Sequence, residues 1–293
     1  MNNFEIHFFT IVINGRPFIE KHIDNFNSLS IKWHWHIVEG IAELKYDTAW
    51  SLANGGRIPE RLHRDGLSID GTSEYIDKLK TLYPTKISVY RKPVGQFWNG
   101  KLEMVNAPLA FIKKECLLWQ IDVDEFWTTE QISVAYQMFQ DQPKKFVAFY
   151  WCHYFVGPNL LLLTRYGYAN NPKFEWQRTW RFKPHFFWAA HEPPTLVERD
   201  YSGRIRPVMS RGVFTHEETE EKGLIFQHFA YVTPSQLIFK ESYYGYKNAL
   251  ADWEKLQSNT AFPTRLADYF TWVGDDTLVG KTSSVGIKPI IKL

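Results

Sequence analysis

The chain is constrained first by an alternation of strand-like and helix-like segments. Phe4 to Ile13, "FEIHFFTIVI", is rich in β-branched and aromatic residues and reads as a buried strand. It stops at the turn "NGRP", where Pro17 suits the first turn of a helix, and Phe18, His22, Phe26 and Leu29 then recur at helical spacing. Trp33 to Gly40, "WHWHIVEG", reads as a second strand and completes a βαβ unit. The pattern then repeats. "TSEYIDKLKTLY" predicts a helix with Thr72 as N-cap, and Lys86 to Arg91 a third strand. "GKLEMVNAPLAFIKKE" puts Leu102, Val105, Leu109 and Ile112 on one helical face that Pro108 interrupts. A series of this kind predicts a parallel α/β sheet in the first half. The second half is less regular, with strand-like "KKFVAFYW", "LLLLTRYGY" and "FEWQRTWRF" and a helix opening at Thr233-Pro234.

The fourth strand-like run ends in acids: "CLLWQIDVDEFW", Cys116 to Trp127. Ligands of parallel sheets bind at the carboxyl ends of the strands, where Asp122 and Asp124 fall. An isolated D-x-D is as often a solvated turn, but its position just past an apolar strand favours a site. Two hard oxygen ligands one residue apart suit Mg²⁺ or Mn²⁺. A calcium EF-hand is excluded, because "DVDEFWTTEQIS" has no glycine at the tight turn and no glutamate at its twelfth position. Beyond the acids, Thr128 and Gln131 have capping-box spacing, and Ile132, Ala135, Tyr136 and Phe139 form a stripe that Pro143 ends. The long polar stretch from Tyr46 to Gly71 predicts a loop over the site.

A length of 293 residues allows one large core, and 44% hydrophobic with 23% charged residues excludes a largely disordered chain. A net charge of +2 argues against general nucleic-acid binding and leaves room for peripheral contact with an acidic membrane through local basic clusters. No apolar run approaches a membrane span, and "MNNFEIHFF" lacks a signal core, so a soluble cytoplasmic protein is expected. Cys116 and Cys152, in strand-like surroundings, read as reduced core thiols. Aromatic residues reach 17%, with 12 Trp, which suits core packing plus a minority of stacking surfaces for a flat or sugar-like ligand. Trp98 and Trp127, flanking the acids, fit either use.

Several segments carry a further pattern in order: "FTIVINGRPFIEKHIDNF", "IVEG" with Glu39, "VNAPLAFIKKECLLWQIDVDE", "WRFKPHFFWAAHEPPTL" and "FQHFAYVTPSQLIFKESYYGY". Together they resemble the GT-A-fold glycosyltransferases, most closely the family-2 type that includes lipopolysaccharide-core and other bacterial glycan-building enzymes. Asn106 sits at the family spacing before Asp122, whereas Val105 stands where the family has an arginine, so Lys101, one helical turn earlier, becomes the candidate phosphate-facing charge. The resemblance implies a GT-A-like, Rossmann-type mixed sheet with helices on both faces and a C-terminal helical or irregular extension. It implies one catalytic domain over residues 1–232, with a nucleotide-sugar half at 1–127 and an acceptor half at 128–232, and residues 233–293 packed on it. The implied reaction is metal-dependent transfer, with inversion, from a UDP- or GDP-sugar to a glycan or other hydroxyl acceptor. Implied Mn²⁺ or Mg²⁺ ligands are Asp122, Asp124 and His228; implied donor contacts are Asn14, Glu39, Lys101, Asn106 and Asp122; the implied general base is Glu192.

Each residue has a plainer use. His228 in "IFQHFAYV" suits a core position, Glu39 a strand-end surface acid, and Glu192 an ion-pair partner of Arg178 or Arg181. His191 and Glu125 are alternative bases. The competing function is a non-catalytic carbohydrate- or nucleotide-sugar-binding protein on the same scaffold. Haloacid-dehalogenase-type phosphatases also use D-x-D, but after their first strand rather than their fourth.

Overall fold

The computed structural model describes residues 4–45, 48–173 and 175–292. Tyr46 and Asp47 at the start of the predicted loop, Phe174 at the head of "FEWQRTWRF", the terminal Leu293 and residues 1–3 lie outside the described residues.

Strand β1 (Glu5–Val12) leads through a 3₁₀ turn into helix α1 (His22–Asn27), and β2 (Trp33–Glu39) returns parallel to β1 with Ile6 opposite Trp33. After the short α2 (Ala49–Ala53) and α3 (Thr72–Leu82), β3 (Ile87–Tyr90) adds parallel to β2. Helix α4 (Gly100–Asn106) ends where Pro108 introduces a 3₁₀ turn, as that proline requires, and β4 (Cys116–Gln120) lies parallel to β1 on its other side. The chain then leaves this sheet through the two-residue β5 (Glu125–Phe126) and the capping box of Thr128 and Gln131 into α5 (Thr129–Asp141).

The second half shuttles between sheets. β6 (Val147–Phe149) belongs to the first sheet, while β7 (Trp151–Gly157) and β8 (Leu160–Leu162) form an antiparallel pair in a second. β9 (Gln177–Phe182) inserts antiparallel between β4 and β6. A small antiparallel sheet of β10 (Phe186–Ala190), β11 (Thr195–Arg199) and β12 (Ile205–Pro207) follows. β13 (Val213–Phe214) edges the first sheet, and after α6 (His216–Glu220), β14 (Ile225–His228) lies between β7 and β5. Helices α7 (Pro234–Phe239) and α8 (Ala249–Ser258) are separated by a π-helical turn, Lys240–Tyr244. β15 (Thr264–Arg265) and β16 (Leu278–Lys281) complete the second sheet, with β16 pairing β8.

The result is a mixed α/β architecture whose first sheet runs β13-β6-β9-β4-β1-β2-β3. Alternation along β1 explains its two-sided burial. Ile6 and Phe8 face a core shared with Phe26 of α1, Ile76 of α3 and Phe139 of α5, while Phe9 faces Val105 of α4, Trp180 and Trp188. Helices therefore cover both faces. The cysteines are buried free thiols, and Trp98 and Trp127 are core residues. Two local expectations change. Gly71, in a left-handed conformation, occupies the N-cap position of α3, and Asp70 accepts from the Thr72 amide, because the Thr72 hydroxyl instead accepts from Gly15 N at 2.8 Å. The C-terminal extension also contributes β16, whose four residues are too few to show a period in the sequence. Among the described residues, no helix is long and apolar enough to cross a membrane.

Candidate active site

A cavity of about 1210 Å³ opens at the carboxyl ends of β1, β2 and β4. Its floor includes Asn14, Gln120, Asp122 and Asp124; α4 supplies Lys101 and Met104, the β10–β11 loop His191 and Glu192, and the turn after α7 Lys240 and Tyr244. Trp50, Leu62, Ile69 and Asp70 bring the polar loop over it.

The acid turn is held from every side. Ile121 N donates to Phe9 O at 3.0 Å and Thr10 Oγ1 to Ile121 O at 2.7 Å, so the end of β4 is fixed to β1. His22 Nε2 lies 2.8 Å from Val123 O, between the two acids, while its ring stacks on Phe126 at 4.6 Å. His22 sits fully enclosed, and burial lowers its pKa to about 4, so the ring is neutral and Nε2–H donates to the carbonyl. Phe229 N donates to Asp124 O at 2.8 Å, and β5 pairs Glu125 with His228.

His228 therefore reaches Asp124 through strand pairing. Its Nε2 is 3.5 Å from Asp124 Oδ1, and Gln236 Nε2 donates to Asp124 Oδ2 at 3.0 Å. Burial pulls the His228 pKa down, but Asp124 beside it prevails and raises it. Burial likewise pushes the Asp124 carboxyl up, and His228 with Lys240 outweighs it, leaving the carboxyl below its ordinary value. Asp122 is looser, 3.3 Å from Gln120 Nε2 and 3.4 Å from an Arg178 Nη. Arg178 is mainly committed to Glu125, which it holds at 2.5–3.0 Å through Nε and Nη2 while lying over the Trp176 ring. Glu125 has no solvent exposure, and burial raises its pKa to about 7 against the pull of Arg178. It is spoken for as an ion-pair partner, which removes it as an acceptor-facing base.

The remaining sequence candidates separate into two groups. Lys101 and Glu192 line the cavity, with Glu192 exposed at its lip and Arg178 and Arg181 paired elsewhere, to Glu125 and Glu115. Asn14 also lines it, while its side chain clamps the loop through Leu62 O at 2.7 Å and Ile69 N at 2.9 Å. Glu39 and Asn106 do not line it. Glu39 is fully buried beneath α3, bound by Arg91 at 2.7 Å, by the Ser73 hydroxyl and by Ser68 N at 3.3 Å. Asn106 uses its amide on the main chain of Trp188, accepting from N at 2.9 Å and donating to O at 3.1 Å, so it pins β10 to α4. Val105 is core, as its apolar neighbours Phe9 and Leu109 require.

Four residues of the site escaped the sequence reading: His22, Arg178, Gln236 and Lys240. The capping-box glutamine of α7 is the most legible, since Thr233-Pro234 places residue 236 at N3. Lys240 lies four residues on, on the same helical face, at the π-turn. Its ammonium sits 4.9 Å from the Tyr231 ring centre, and that of Lys101 5.0 Å from Tyr244; among the described residues neither has a carboxylate within ion-pair distance. Burial lowers the Lys240 pKa, partly offset by Asp124.

The donor set accommodates a divalent cation in part. Among the described residues no three His, Cys, Asp or Glu side chains converge tightly enough to hold an ion by themselves. Asp124 and His228 at 3.5 Å suit neighbouring positions around one Mg²⁺- or Mn²⁺-sized ion, whose ligands at ~2.1 Å stand ~3 Å apart, with the other positions left to Asp122, water and ligand oxygens. The residues fit a partial site completed by a ligand.

No family model matches the chain, and no curated protein matches it. Similar solved structures include S. aureus TarS 1–349, at 12% identity and TM-score 0.36 over 52% of this chain and 37% of that one. The same protein in complex with UDP-GlcNAc aligns at 13% and 0.35. The mannosyltransferase PcManGT from Pyrobaculum calidifontis, in complex with GDP-Man and Mn²⁺, aligns at 13% and 0.37 over 52% and 36%. A 4-diphosphocytidyl-2C-methyl-D-erythritol synthase aligns over 87% and 99% at 8% and 0.32. The chain thus spans about a third of the length of the first of these.

Proposed function

We propose that the protein is a GT-A-type glycosyltransferase that moves a sugar from a nucleotide-diphosphate sugar to an acceptor hydroxyl, with inversion. The observation that carries this reading is the make-up of the cavity: Asp122, Asp124 and His228 line it together with Lys101 and Lys240, which among the described residues have no carboxylate within ion-pair distance, and Glu192 stands at the lip. Leaving-group charge develops on the diphosphate as the glycosidic bond breaks, and fixed cations placed there stabilise it. Lys240 and Lys101 supply two such charges. Asp124 and His228, with Asp122, would hold a divalent cation, which when bound adds Lewis-acid stabilisation of the same oxygens. Glu192 would take the proton of the acceptor hydroxyl. The wall of Tyr154, Tyr168, Trp176, Tyr231 and Tyr246, from the second half of the chain, is the side left for the acceptor. In this reading Glu39 and Asn106 shape the site from behind rather than touching the donor.

The test is a thermal-shift panel of UDP, GDP and their sugars with and without Mn²⁺. A ligand at a hundredfold excess over its Kd stabilises by about 2.7 kcal/mol, a shift of several degrees. Asp124→Ala is expected to melt near the wild type without ligand and to lose the Mn²⁺-dependent part of the shift. An unchanged Mn²⁺ dependence in that variant sinks the metal-site assignment; no response to any nucleotide sinks the transferase reading.

A further inference from the structure

At the end of the small sheet away from the cavity, an ordered turn carries an exposed apex. Asp200 Oδ1 accepts from Ser202 N at 2.9 Å, Ser202 Oγ at 2.6 Å and Arg204 N at 3.0 Å, and Arg199 Nη1 donates to Gly203 O at 3.0 Å. The turn is therefore fixed, and it presents the Tyr201 side chain fully exposed, touching no other ring among the described residues. Ile205 on the edge strand β12 and Met209 just beyond it are exposed as well. The turn and the strand after it thus hold a tyrosine and an isoleucine in water close together in sequence.

Charge gathers on the same element. Arg199, Arg204, Arg206 and Arg211 lie on the hairpin and the turn after it; Lys183 and Arg211 both lie over the Phe146 ring, at 5.6 and 5.0 Å, and Lys144 adjoins Gly212. Against these six cations stand three acids that pair with them, Glu198 with Arg211, Asp200 with Arg204 and Arg206, and Glu115 with Lys183 at 4.0 Å, so a positive excess remains on the hairpin.

We infer that this hairpin is a docking surface for an anionic lipid bilayer, with Tyr201 and Ile205 entering the headgroup region and the arginines engaging lipid phosphates. Positive charge alone would serve a nucleic acid equally. The exposed apolar side chains decide between them, because an aromatic ring with a polar tip and an aliphatic chain gain from a headgroup–acyl boundary and little from a phosphate backbone. The apex lies at the opposite end of β11 from the loop that carries Glu192, so docking leaves the cavity mouth clear of the surface. The inference is independent of the transferase reading.

The experiment is co-sedimentation of the full chain with vesicles of phosphatidylcholine alone and of phosphatidylcholine containing phosphatidylglycerol, at low and high salt. Binding is expected only to the anionic vesicles and is expected to weaken with salt. At the strength of a basic residue near an anionic surface, Arg204→Glu with Arg206→Glu lowers affinity roughly thirtyfold or more. Tyr201→Ser lowers it several-fold with the same salt slope, and decides the matter if the arginine double variant melts below the wild type. Equal binding to neutral vesicles, no vesicle binding, wild-type affinity in the variants, or variant-sensitive binding to a homopolymer RNA in place of vesicles overturns the proposal.

Discussion

At the scale of single residues, the acid turn depends on groups that never touch a ligand. His22 donates to the carbonyl between Asp122 and Asp124 while its ring packs on Phe126. His22→Phe keeps the ring and removes the donor. It should cost roughly 1–2 kcal/mol in urea unfolding, since one enclosed carbonyl loses its partner, and should shrink the Mn²⁺-dependent shift of nucleotide binding. A variant that loses neither makes His22 an ordinary packing residue. Glu192 is the opposite case, exposed and replaceable without touching the core. Glu192→Gln should reduce turnover by about 10²–10⁴ with donor affinity little changed. Near-normal turnover, or a product that keeps the donor's anomeric configuration, would remove it from the mechanism.

At the scale of elements, β10 has no strand partner among the described residues on the side facing α4, and Asn106 fills that place. Asn106→Ala leaves the buried N–H and C=O of Trp188 without it, so a loss of roughly 2–4 kcal/mol is expected, together with lower activity, because the loop after β10 carries His191 and Glu192. Unchanged stability in urea would show that water replaces the amide. Such a role could not be read from the chain, since the bonded residues are 82 positions apart. Glu39 is similar, its Arg91 being 52 positions away. The strand and helix alternation was legible because periodicity is local, and so was the box at Thr128, whose partner Gln131 lies three residues on. Asp122 and Asp124 were legible because carboxylates directly after the apolar run "CLLWQ" are costly to bury, which marks a strand end that opens on a cavity. Arg178 and Lys240 were hidden because only the insertion of β9 beside β4, and the π-turn after α7, bring them to the acids.

For the whole molecule, buried imidazoles set the acid limit. His7, His34 and His36 stack across β1 and β2, with His7 Nδ1 2.9 Å from His36 Nε2 and His36 Nδ1 2.8 Å from the Tyr90 hydroxyl. Burial lowers all three and His22; His7 and His22 fall to about 4. The unfolded chain protonates near 6.5, so between pH 6.5 and about 4 it binds more protons than the native state, and stability falls as the pH is lowered. His7 and His22 account for about 3 kcal/mol each by the bottom of that window. Glu125, raised to about 7, contributes the opposite slope, as do Glu175 and His228, also raised; these three stand against six lowered imidazoles once His153 and His216 are included. The urea midpoint should therefore drop from pH 7 to pH 5, and His7→Gln should flatten the drop; a level profile contradicts this. The strand pairing around the acid turn has another consequence. β4 is registered to β1 in one sheet and β5, four residues later, to β14 in the other. Adding or deleting one residue between Gln120 and Glu125 would rotate one sheet's side chains out of phase with the other's. Homologous chains should therefore keep the same length across those four positions.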